Sequence, residues 1–170
     1  MSNDHSVLLS VNELFAERAA RRQREKEADA KLQRDVDERD KEFKQRLDAF
    51  QMTDALRYAL ADKIKHAFER KETELVIVTF PVGFCTDGGR AVANIDAPPI
   101  NKPDKTSADA EPAWLETLPR GAHALFKFWK DDLKPGGFEF GARVVDFPDG
   151  MPGHIALFFA WPRNPMEVAS

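Results

Sequence analysis

From Glu17 to Asp48 nearly every second residue is charged, and between Ala16 and Lys31 alanine is the only apolar residue. Such a stretch cannot line a core in any secondary structure, because it has almost no apolar surface to set against the cost of ordering the chain and desolvating charge. The chain must therefore consist of a solvated arm and a folded body built from what remains. Composition divides in the same way. Met1 to Glu72 holds 16 Lys+Arg and 16 Asp+Glu of the 25 and 29 in the chain, which leaves 9 and 13 for Thr73 to Ser170, so the second part carries the net −4. Ten of the 13 phenylalanines and all three tryptophans lie from Phe68 onward. We place the boundary after residue 51, with a charged helical arm over 1–51 and a compact domain over 52–170, long enough for a single core.

Ser10-Val11-Asn12-Glu13 fits a capping box, in which the Ser hydroxyl accepts from the N3 amide and the Glu carboxylate reaches back to the N-cap amide, while Leu9 and Leu14 occupy the positions of a hydrophobic staple. A helix is predicted from Val11. Opposite charges recur at i, i+4, as in Glu17/Arg21, Glu27/Lys31 and Asp37/Lys41. Each such pair supports a solvated helix by only ~0.2–0.5 kcal/mol.

At 100° per residue, Val11, Leu14, Leu32, Val36, Phe43, Leu47 and Phe50 share a narrow strip, with Phe15 beside it at the tip. That width suits a thin contact with another helix better than a core face. The arm thus reads as an apolar tip (9–15), a solvated stalk (16–31) and an apolar seam (32–50), and these eight residues are the candidate partner-binding set. The partner is either another protein or a second copy of the chain. Arg39, Asp40 and Arg46 interrupt the heptads, which argues against a long uniform coiled coil. Arg18, Arg21, Arg22, Arg24 and Lys26 make a basic cluster, but Glu17, Glu25, Glu27 and Asp29 interleave with it. Phosphate binding needs concentrated positive charge, so no nucleic-acid partner is expected.

In the body, Leu56, Leu60, Ile64 and Phe68, with Ala59 and Ala67, form a broad apolar face at helical spacing. That face is rotated from the arm's strip, which implies a break at Gln51-Met52-Thr53. Leu75 to Phe80 is a continuous β-branched and aromatic run closed by Pro81, the pattern of a strand covered on both faces and hence central. Residues 93–112 read as a surface loop. Pro119 opens a second core helix, carried by Ala122, Leu125, Phe126, Trp129 and Leu133 and stopped at Pro135-Gly136-Gly137. Phe138–Phe147 and His154–Trp161 are strand-like and flank a turn-rich loop, as in a hairpin. The expected fold is α+β, a small mixed sheet of three or four strands with two helices on one face, the fourth strand falling near Arg90–Asn94.

Polar chemistry concentrates in Phe84-Cys85-Thr86-Asp87-Gly88-Gly89-Arg90, directly after the first strand. Cys85 is a candidate nucleophile, with His154 or His123 as base and Asp87 as orienting group. Gly88, Gly89 and Arg90 could present amides and a guanidinium to an anion. Asp-Gly-Gly also describes an ordinary tight turn, and a lone cysteine beside Phe84 also describes a small buried hydrophobe. No phosphate-loop or dinucleotide spacing is present. His5, His66, His123 and His154 show no metal-ligand spacing, so neither metal nor cofactor is expected. The single cysteine, the lack of a basic leader and the lack of a long apolar run place the chain in the cytoplasm. The expected function is non-catalytic, an interaction or assembly protein that acts through its arm. The alternative is a small cysteine-dependent or anion-binding enzyme centred on Cys85–Arg90.

Overall fold

The computed structural model describes residues 8–95 and 111–168. The chain divides into two compact units between Phe43 and Lys44. Helix α1, Val11–Ala49, makes up the described part of the first unit beyond its leading residues, and its last turns belong to the second. It begins where the capping box placed it, with Leu14 N donating to Ser10 O at 3.1 Å. None of its residues is buried. Side-chain bonds along it include Gln23 Nε2 to Glu27 Oε1 at 3.1 Å and Gln33 Nε2 to Asp37 Oδ1 at 2.9 Å, the neighbour spacing that holds a helix in solvent.

The helical run breaks at residues 50–53, as the change of face implied. Thr53 caps α2, Asp54–Glu69, its hydroxyl accepting from Leu56 N at 3.3 Å. α2 buries Leu60, Ile64 and Ala67. Strand β1, Glu74–Pro81, follows, then the short helix α3, Arg90–Ala93. Helix α4, Gly121–Phe128, continues through a π turn over Trp129–Leu133 and a 3-10 turn over Lys134–Gly136. It stops at Gly137, whose φ of 90° needs a residue without a side chain. β2, Glu139–Asp146, and β3, His154–Ala160, form the hairpin, and α5, Pro165–Val168, ends the described chain.

The fold is α+β, and the sheet differs from expectation in three respects. Its strands run antiparallel throughout rather than mixed, in the order β1-β3-β2. β1 is therefore an edge strand, and the central strand is β3, where Ile155, Ala156, Leu157 and Phe159 are all at most 1% exposed. The unbroken apolar run in β1 has another cause. Its register shifts between Val76 and Val78, so Ile77 is an extra residue and the alternation is lost there. Finally, Arg90–Asn94 supplies no strand, since Arg90–Ala93 is α3.

α2 and α4 lie on one face of the sheet, joined by Arg57 Nη1 to Asp132 Oδ2 at 3.5 Å. Phe128 meets Phe159 edge-on at 5.9 Å, and Phe126 meets Phe140 at 6.1 Å. Trp114 and Trp129, both half-buried, close around Phe140 at the β2 edge of the core, while Phe80, Leu115, Ile155, Leu157 and Phe159 are fully buried at its centre. Most of the expected 93–112 loop lies outside the described residues.

Candidate functional site

Beyond β1 the chain makes a 3-10 turn over Val82–Phe84, which buries Phe84 and stacks it on Phe80 at 6.1 Å. Cys85 N donates to Val82 O at 3.0 Å, and Thr86 N to Thr117 O at 2.9 Å. The thiol is 7% exposed. Burial, with Asp87 adding to it, pushes the Cys85 pKa up to about 11. The shift disfavours the thiolate at neutral pH, the opposite of what activation of a nucleophile requires.

The Asp87 carboxylate accepts from Gly89 N at 2.9 Å through one oxygen and from Ala91 N at 2.9 Å through the other. Gly88 and Gly89, with φ of 68° and 83°, supply the left-handed backbone that brings those amides round. The structure thus gathers Asp87, Gly88, Gly89 and Arg90 into one turn, as the sequence implied. Asp87 itself occupies the Gly89 amide, one of those proposed for an anion, together with the neighbouring Ala91 amide. His154 pairs through Nδ1 with Asp146 at 2.9 Å at the mouth of the hairpin, and His123 Nδ1 lies 3.9 Å from Glu111. His66 is exposed, and His5 lies outside the described residues. Among the described residues no three His, Cys, Asp or Glu side chains are grouped to hold a metal ion.

The arm residues divide into two groups. Val11, Leu14, Phe15, Leu32 and Val36 are exposed, at 64%, 49%, 60%, 65% and 40%. Leu47 and Phe50 are half-buried, and with Ile77, Val78, Pro119 and Leu125 they line an apolar cavity of about 230 Å³ in the second unit. Phe43, last residue of the first unit, is also half-buried. Asp48 Oδ1 accepts from Arg120 N at 3.0 Å, and a Cβ built on Gly121 would stand 2.0 Å from Leu47 O. The end of α1 is therefore fastened to the start of α4 by a capping carboxylate and a close backbone approach.

Sequence reading missed the outer face of the sheet. Arg143 and Glu74, on the two edge strands, form a two-pronged pair across β3, with the guanidinium 4.7 Å from the Phe158 ring centre. This contact holds Glu74 below the usual carboxylate range and raises Arg143, in both cases chiefly through the hydrogen bond. A hollow of about 560 Å³ beside β2 is lined by Trp114, Phe140, Arg143, Phe147 and Phe158, among others. The two ionic partners are 69 residues apart, so no local pattern could have revealed them.

No protein-family model, curated protein or solved structure matches this chain. Among the described residues no helix is long and apolar enough to cross a membrane.

Proposed function

We propose that the protein is a non-catalytic interaction or assembly protein whose α1 arm is its docking element. One observation supports this most strongly: a 39-residue helix without a buried residue carries Val11, Leu14, Phe15, Leu32 and Val36 exposed on or beside a single stripe. Burying five such side chains releases roughly 1.5–3 kcal/mol each before ordering costs, which is ample for a specific complex. Nucleic acid plays no part in this reading. The acidic body and the interleaved charges of the stalk offer phosphate no concentrated positive surface.

The test is the doubly changed chain Leu14→Asp, Phe15→Asp, expressed from its own locus in the native host. The native mass of the complex containing the chain should fall, while the melting transition of the purified chain stays in place because both residues are exposed. An unchanged complex would overturn the proposal.

A further inference from the structure

The arm's polar stalk becomes intelligible when two copies of α1 are laid side by side in opposite directions. From Val11, one stripe of the helix advances in alternating steps of four and three residues, the spacing of a two-stranded seam. Its first half reads Val11, Phe15, Arg18, Arg22. Its second half reads Glu25, Asp29, Leu32, Val36. The second half is the chemical complement of the first in reverse order.

Resting on the reading of α1 as a docking element, we propose that its partner is a second copy of this chain, paired antiparallel with Arg22 of each copy facing Glu25 of the other. Arg18 then faces Asp29, Phe15 faces Leu32 and Val11 faces Val36. Every layer joins an a position to a d position, as antiparallel pairing requires, and each layer is matched, apolar with apolar and cation with anion. The flanking positions add no like-charge contact, since Arg21 meets Ala28 and Lys26 meets Ala19. The parallel arrangement is disfavoured by the same residues. It would set Arg18, Arg22, Glu25 and Asp29 each against its own copy, four like-charge layers in succession.

The charges inside the seam serve register more than strength. An ion pair between two helices repays its desolvation poorly, but a seam that accepts Arg only opposite Asp or Glu has a single alignment. Long arginine stems cover the neighbouring apolar surface while their ends reach water at the seam's edge. Affinity then comes from two identical apolar clusters, each made of Val11 and Phe15 from one copy and Leu32 and Val36 from the other. These four side chains are 40–65% exposed in the single chain. The matched stretch ends at Val36, ahead of the half-buried Phe43 and of the residues that belong to the second unit.

The experiment uses the purified full chain, with mass read by sedimentation equilibrium. We expect twice 19.2 kDa for the native sequence. Arg18→Glu with Arg22→Glu should give the monomer mass, and so should Glu25→Arg with Asp29→Arg. The chain carrying all four changes should recover the dimer, because every antiparallel layer is again matched. Orientation is read by mild oxidation of a mixture of Val11→Cys and Val36→Cys chains. The mixed disulfide should dominate over either symmetric one. A monomeric native chain, dimers that survive either double reversal, or a dominant Val11→Cys homodimer would each overturn the proposal. If the purified chain is monomeric yet Leu14→Asp, Phe15→Asp still lowers the native mass in the host, the pairing falls and the docking role of the arm stands.

Discussion

Gly121 marks a place where one methyl group decides whether the end of α1 can reach α4. The atom it would collide with is the Leu47 carbonyl oxygen, which is backbone and cannot swing aside. Gly121→Ala should therefore cost about 1–3 kcal/mol or more, read as a lower denaturation midpoint. Cys85 tests burial through pH. Its folded pKa of about 11 lies above the unfolded value, so the folded state keeps a proton that the unfolded chain loses. The thiol's contribution is complete below the unfolded pKa, near 9, and is lost as pH rises toward 11. Stability should fall by up to about 2–3 kcal/mol over that window. Cys85→Ala, measured by thermal melts from pH 8 to 11, should show a shallower decline. Equal slopes in the two proteins would show that the thiol is not desolvated.

Elements with local signatures were legible before any coordinates. The start of α1, the break before α2, the second core helix and the β2–β3 hairpin each rest on a cap, a period or a turn that neighbouring residues encode. Thr53→Ala should cost about 1 kcal/mol, since the hydroxyl that receives Leu56 N has no substitute. β1 was misplaced because an apolar run reports the burial of its own side chains and says nothing of its neighbours. A bulge at Ile77 and a central strand are hard to tell apart by composition. The Glu74–Arg143 pair tests the strand order. Its side chains are 38% and 43% exposed, so solvent screens it, and a double-mutant cycle with Glu74→Gln and Arg143→Met should return about 0.5–1 kcal/mol. Because the folded Glu74 pKa is lowered, that coupling is present above the unfolded carboxylate pKa and fades as pH falls through the folded one. No coupling at neutral pH would place the two edge strands out of reach of each other.

At the scale of the whole chain, the structure moves the boundary of the body from residue 51 to Lys44. Leu47 and Phe50 contribute side chains to the second unit although they continue the arm's periodicity, and Asp48 beside them caps α4. A chain of residues 44–170 should melt cooperatively, and one of residues 51–170 should be less stable by about 2–3 kcal/mol, the worth of two half-buried apolar side chains and a cap. Equal melting of the two would detach the end of α1 from the core. The candidate site followed the same division. The Asp87-Gly88-Gly89 turn was legible because an Asx turn is a local geometry, whereas the fate of Cys85 depended on what came to lie over it.

By itself the sequence determined that an uncovered charged helix precedes an aromatic α+β body, because charge spacing, caps and helical period act between residues a few positions apart. It also contains the complementary halves of the Val11–Val36 stripe, which need only a helix to be displayed. Tertiary structure alone decided that β3 is central, that Arg143 reaches Glu74 over Phe158, and that Leu47 and Phe50 are half-buried in the second unit while Leu32 and Val36 are exposed. Those outcomes depend on contacts between residues distant in the chain, whose partners are chosen by packing and leave no periodic trace in the sequence.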